Sequence, residues 1–298
     1  MKNYDNGFSN QIGLFKLAEK SKVKRHFIWF TILIMIVAMV GAMPAGLFGA
    51  VFLGSRNNDV MNIFINLAGG FGMTSLLVFA IVKFREKRPV ADLGFQRKGA
   101  LKQYLKGFAY GLAMLAVCSG TMFVFGGLKL VANPQNVGLQ MLPSILFLLI
   151  GWIVQGGTEE ILYRGWMMPL LGAKYNVPFA VVVSSVGFMI LHYGNNGMTW
   201  VPIVNLIIFG IFAALYVVNE KSIWGICGWH SAWNWMQGNI IGVEVSGTNV
   251  PGGSLIKLTA QGNPLVSGGI FGIEGSLVCT FVLIVCCVYL VNKLRNQH

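Results

Sequence analysis

The sequence predicts an all-α fold, a polytopic membrane protein of about eight transmembrane helices. Three observations predict it. Hydrophobic residues make up 55% of the 298-residue chain and charged residues 11%, with a mean hydropathy of +0.66; a soluble domain carries about 25% charged residues. Uncharged apolar runs long enough to cross a bilayer recur along the chain. Lysines and arginines collect in alternate connections between those runs, as the positive-inside rule requires.

Eight spans can be drawn, at 27–53, 61–82, 107–128, 141–171, 177–194, 199–218, 222–241 and 275–292. "GAMPAG" (41–46) resembles a signal-peptidase site, but the apolar run continues through Phe52, so the first span is expected to be retained. The uncharged stretch from Tyr175 to Asn219 is split at "GNNGM" (194–198). "AKYNVP" (173–178), with Lys174, Asn176 and Pro178, predicts a turn between the fourth and fifth spans. The organisation is then a basic tail (1–26), N-terminal spans (27–140), a core (141–242), a long outer loop (243–274), and a last span with its tail (275–298). Within the N-terminal part, 83–106 is a basic loop expected to be partly an amphipathic helix on the membrane surface.

With the N-terminus inside, 19 of the 22 Lys and Arg fall on the cytoplasmic side, Arg164 included; Arg56, Lys129 and Lys257 do not. The net charge of +12 therefore reads as orientation in a cell membrane, with both termini cytoplasmic, and as contact with anionic lipid. No basic stripe with interleaved aromatics speaks for a nucleic-acid surface. The five cysteines (118, 227, 279, 286, 287) lie in spans without metal-ligand spacing and read as packing residues.

Ionisable groups at bilayer depth cost at least about 2.5–3.5 kcal/mol each, so each needs a partner or a function. His26 and His298 lie in basic tails, leaving Glu159, Glu160, Arg164, His192 and His230, with Asn234 beside them. Glu160 and Arg164, at i and i+4, read as an intrahelical ion pair. Glu159 is turned about 100° away on the same helix and must face something else. Glu159 and His192 are symmetric about the 173–178 turn, which sets them at one depth on an antiparallel hairpin. His230 and Asn234 share a helix face that starts from the turn at "NEKS" (219–222). Singly, each has a bland reading: an interhelical hydrogen bonder, a helix-gluing Asn, interface tryptophans at 229, 233 and 235. Together they predict one site.

"EEILYR" (159–164), "FMILH" (188–192) and "HSAWN" (230–234) fit E-E-x-x-x-R, F-x-x-x-H and H-x-x-x-N. In order and spacing they resemble the CAAX-protease and bacteriocin-processing family of intramembrane proteases, which includes the eukaryotic Ras-converting endopeptidase. "GGIFGIEGS" (268–276) adds a weaker likeness to bacterial members. The resemblance implies a catalytic core in the fourth to seventh helices and no cofactor. Glu159 would be the general base on a water, His192 would help hold that water, and His230 and Asn234 would donate to the oxyanion. Its substrate would be a membrane-associated peptide or protein, of CAAX-like, bacteriocin or pheromone type. The chemistry is sound by itself, since a carboxylate partly withdrawn from water is a better base and donors act most strongly on an oxyanion in a dry site.

Other readings stay open. Glu159, His192 and His230 are also the donor set of a His₂Glu zinc hydrolase. Intramembrane carboxylates also mark ion paths, though the repeated halves typical of transporters are not visible. A non-enzymatic immunity or scaffold protein is the third alternative. For the protease, the expectation is a conical cavity open to the cytoplasmic side and closed toward loop 243–274. A lateral gap between helices would admit the substrate, and the four site side chains would lie within about 8 Å of one another.

Overall fold

A computed structural model describes residues 13–23, 26–48 and 59–296. Arg56, His298, the end of the first expected span and most of the basic tail lie outside the described residues. A short helix α1 (Leu14–Ala18) precedes α2 (Phe27–Phe48). Then come α3 (Val60–Arg85), α4 (Ala100–Val124) and α5 (Leu139–Lys174), with α7 (Trp200–Glu220) and α9 (Leu277–Arg295) later in the chain. Among the described residues, six helices, α2 to α5, α7 and α9, are long and apolar enough to span a membrane.

The other two expected spans are shorter. Helix α6 (Val177–Leu191) has 15 residues. Helix α8 (Trp224–Trp235) has 12 and continues as a π turn over Met236–Ile240. The physical reason is location. Every residue of α8 from Gly225 to Asn234 is buried, so protein rather than lipid surrounds it, and neither apolar length nor absence of polar groups is required. The outside of the bundle is apolar instead: Trp29, Met39, Phe123, Phe281 and Tyr289 are more than half exposed, while the site's glutamates, arginine and histidines are inside.

The two ends of the bundle differ. At the basic end, Ile223 N–H donates to Gly94 O at 3.2 Å, Trp224 Nε1 donates to Gln96 O at 2.9 Å, and α1 packs on the last turns of α5. No separate surface helix forms in 83–106, whose helical ends belong to α3 and α4. The middle of this stretch holds one 3₁₀ turn, Val90–Leu93, and the segment folds inward. Arg88 Nε meets Glu86 Oε2 at 2.8 Å with both side chains fully buried, and Trp166 Nε1 donates to Glu86 Oε1. Paired with each other, these charges do not need the surface.

At the opposite end, β1 (Leu128–Leu130) pairs antiparallel with β2 (Leu258–Ala260), setting Lys129 opposite Thr259. Loop 243–274 is therefore stitched down, an ordering that its Gly, Ser and Asn content did not suggest. Where α5 turns into α6, the Asn176 side chain accepts from Phe179 N–H at 2.8 Å, an N-cap just ahead of Pro178.

Close helix approach places α8. A Cβ at Gly107 of α4 would stand 1.8 Å from Gly225 O, and one at Gly111 would stand 2.4 Å from Trp229 O. On the other flank, a Cβ at Gly156 of α5 would meet Ser231 N at 2.9 Å. Small residues let the backbones touch, and the contact at Gly156 brings His230 beside the carboxylates of α5.

Candidate active site

Helix α5 changes pitch at the site. It is α-helical over Leu142–Glu160 and π-helical over Ile161–Met167, then resumes an α pitch. A π turn widens the helix by one residue and recurs at functional sites. Glu159 and Glu160 are the last residues before it, both buried. Arg164 lies inside the π turn, fully buried, with its guanidinium carbon 4.7 Å from the Phe188 ring centre and 5.4 Å from that of Phe209. Its Nη1 is 3.4 Å from Glu160 Oε1. The expected ion pair is present, but at a distance long for a charge-assisted bond.

A closer partner of Glu160 is His230. Its Nδ1 is 2.8 Å from Glu160 Oε1, and its Nε2 is 3.4 Å from Glu159 Oε2. One imidazole thus stands between both carboxylates, bonded to Glu160 and beside Glu159, a link that the pairing of Glu160 with Arg164 alone does not include. His192 follows the last turn of α6 as its C-cap. Its Nδ1 donates to Phe188 O at 2.9 Å, and its Nε2 lies 4.0 Å from Glu159 Oε2. Phe188 O and the Glu160 carboxylate are acceptors, so both histidines carry their Nδ1 proton. In the neutral ring, each Nε2 lone pair then faces the same Glu159 oxygen. A water at about 2.8 Å from His192 Nε2 and Glu159 Oε2 can bridge their gap.

The sequence reading also missed Gln155. Its Nε2 donates to Glu159 Oε1 at 2.8 Å, and its Oε1 accepts from Asn234 Nδ2 at 2.9 Å. Gln155 therefore ties the carboxylate to the amide across α5 and α8. Its i, i+4 relation to Glu159 was the available signal, but a search restricted to ionisable groups passes over a neutral amide. With Oε1 held by Gln155, Glu159 Oε2 is buried without a hydrogen-bond partner, as is Asn234 Oδ1.

A cavity of about 730 Å³ opens onto these groups, lined by Gln155, Glu159, His192, His230 and Asn234, and by Trp229 and Trp233. Its exposed lining residues are Met39 and Ala42 on α2, Asn66 on α3, and Thr248 and Asn249 of loop 243–274. None of its lining residues comes from 83–106, 173–178 or 219–222. This corrects the expected opening. Among the described residues, the cavity lining runs to the end that carries loop 243–274 and passes beside α2 and α3. The basic end beneath the site is filled: Arg164, Trp166 and Tyr163 are buried there, and the Phe15 ring stands where a Cβ at Gly172 would lie.

The comparisons with known proteins bear on this segment. Residues 141–236 match the family model described as type II CAAX prenyl endopeptidase Rce1-like. The chain carries an Rce1-like domain. All six residues singled out from the sequence, Glu159 to Asn234, fall inside it, as does Gln155. Neither a curated protein nor a solved structure matches the chain. With its long apolar helices and this Rce1-like segment, the chain is a multi-pass membrane protein.

Among the described residues, no three His, Cys, Asp or Glu side chains are spaced as a group to hold a metal ion. Glu159 Oε2 and His230 Nε2 are separated as two ligands of one zinc would be, about 3.4 Å for tetrahedral bonds near 2.1 Å. The 4.0 Å from Glu159 Oε2 to His192 Nε2 is longer than that spacing.

Proposed function

We propose that this protein is an intramembrane endopeptidase that hydrolyses a peptide bond of a membrane-associated peptide or protein with a Glu159-activated water. The observation that carries the reading is the Glu159 carboxylate on the cavity wall: one oxygen held by Gln155, the other without a hydrogen-bond partner and flanked by two imidazoles. Glu159 takes a proton from the water as the water oxygen bonds to the scissile carbonyl carbon. The resulting oxyanion is met by Asn234 Nδ2, which has a second hydrogen beyond the one given to Gln155, and by His230 when its Nε2 is also protonated. The imidazolium charge would face both Glu159 and Glu160. Collapse of the tetrahedral intermediate breaks the C–N bond, and the proton on Glu159 passes to the leaving amine.

The protein is read as lying in a cell membrane with its termini and the 83–106 loop cytoplasmic, beside anionic lipid, a reading supported by the Lys and Arg distribution. The test is a comparison of the peptides in membranes holding the intact protein or Glu159→Gln, followed by cleavage of the peptides that differ in purified nanodiscs. Identical peptide profiles would defeat the protease reading. A cellular role that survives Glu159→Gln would mark a non-enzymatic immunity or scaffold protein.

A second reading has its own observation. Two histidines with Nδ1 bonded to a carboxylate and a carbonyl turn both Nε2 atoms toward one glutamate, the arrangement in which metal-bound histidines are held. Glu159, His192 and His230 would then ligate zinc. Cleavage that stops with a chelator and returns with zinc would favour this reading. Cleavage that persists, with no metal in the purified protein, favours the metal-free one.

A further inference from the structure

The cavity has a second carboxylate that the proposed hydrolysis does not use. Glu274 lines it, presented by a 3₁₀ turn over Ile273–Gly275 between loop 243–274 and α9. The carboxylate is fixed in place. Oε1 accepts from Trp233 Nε1 at 2.9 Å, Oε2 accepts from Ser246 Oγ, and the Glu274 backbone carbonyl accepts from Asn205 Nδ2 at 2.7 Å. Just before it, Gly272 has a φ of 91°, and a Cβ there would stand 2.1 Å from Glu244 O, so the turn is built tightly around a required glycine.

Both bonds to this carboxylate come from neutral donors. Among the described residues Glu274 forms no ion pair, and no lysine or arginine lines the cavity. The buried cation of the site, Arg164, is taken up by Glu160 and the rings of Phe188 and Phe209. A second acceptor, Asn234 Oδ1, is buried on the same cavity wall without a hydrogen-bond partner. The remaining wall is largely apolar and aromatic, including Trp229 and Trp233 stacked at 4.7 Å and 18°, with uncharged polar side chains such as Gln155, Asn195 and Asn205 among them. A cavity with aromatic rings in its wall, a carboxylate outside any ion pair and, among the described residues, no internal cation fits an aliphatic stem ending in a positive charge.

We propose that Glu274 is a specificity-determining residue that receives a lysine or arginine side chain of the substrate near its scissile bond. This deepens the endopeptidase reading and rests on it: the substrate class becomes a membrane-associated peptide with a basic residue at membrane depth. The charge of that residue would be neutralised by Glu274 and its stem covered by the tryptophans.

The test is a binding measurement on the full chain with Glu159→Gln, in phosphatidylcholine nanodiscs so that no anionic lipid draws cations unaided. The probes are N-palmitoyl octapeptides of glycine and leucine, with one lysine or one norleucine moved along the sequence. At one or two positions the lysine peptide should bind about tenfold tighter than its norleucine twin, the size expected of a hydrogen bond to a charged group. Adding Glu274→Gln should bring the two within about twofold. Equal affinities in the protein that keeps Glu274, or a lysine preference that survives Glu274→Gln, would overturn the proposal. If Glu274→Gln does not purify folded, Glu274→Asp withdraws the charge by one methylene and should cut the preference at least about threefold; an unchanged preference would overturn the proposal equally. Failure of the protease reading shows separately, as no cleavage of either peptide by the protein with Glu159 intact, and the binding ratio stays readable.

Discussion

Glu160 Oε1 accepts the Nδ1 hydrogen of His230 at 2.8 Å, closer than its 3.4 Å contact with Arg164 Nη1. One buried carboxylate thus serves two cations or donors, and its replacement has two consequences. Glu160→Gln strands the Arg164 charge and should lower stability by about 3–5 kcal/mol, the scale for breaking a buried pair. Replacing Glu160 with Gln and Arg164 with Met together should restore part of the melting temperature in detergent but not the rate, because His230 still lacks its orienting carboxylate. A double variant no more stable than Glu160→Gln would remove the ion pair from the account.

Glu159→Gln is the direct test of the base. Gln keeps the shape and can still accept from Gln155, so the fold should persist. Cleavage should fall at least about 100-fold, the low end for general acid–base catalysis. Retention of more than half the activity would end the assignment.

Gln155 should matter without touching substrate. Gln155→Leu removes the donor to Glu159 and the acceptor for Asn234, and should lower kcat about tenfold, the effect of about 1–1.5 kcal/mol in positioning. Because Gln155 and Asn234 act as one unit, Asn234→Ala should cost less in the Gln155→Leu background than alone. Additive losses in that cycle would show that the amide bridge does nothing.

The α4–α8 contact predicts a stability contrast within one helix. Gly111→Val should destabilise by about 1–3 kcal/mol through overpacking against Trp229 O. Gly120→Val, on the same helix with nothing within 4 Å of its Cβ position, should stay within about 0.5 kcal/mol of the parent. Thermal unfolding in one detergent compares them, and equal shifts would contradict the helix approach described above.

The positions of the helices were legible because bilayer thickness turns span length into a one-dimensional signal. The hairpin at 173–178 was legible for a related reason: Asn176 and Pro178 mark a turn locally, and equal distances from it put Glu159 and His192 at one depth. What spacing could not convey was α8. Its His230 and Asn234 were visible as an i, i+4 pair, but its short length and full burial follow from the glycines of α4 and α5 that let two flanking helices close on it. Those contacts join residues more than a hundred positions apart on α4 and more than seventy apart on α5.

By itself the sequence determined that this is a multi-pass helical membrane chain and that carboxylates, imidazoles and an amide stand on three of its helices. Charges in apolar runs are costly, so they are conspicuous without any structure. The tertiary structure alone decided which groups meet: His230 between Glu159 and Glu160, Gln155 between Glu159 and Asn234, and Glu274 on the cavity wall. It also decided that the cavity reaches the end with loop 243–274. Neutral amides and loop glutamates carry no such penalty in sequence, and an opening is wherever packing fails to fill space. Here the basic end is filled by Arg164, Trp166 and Phe15, and among the described residues the exposed lining of the cavity lies on α2, α3 and loop 243–274.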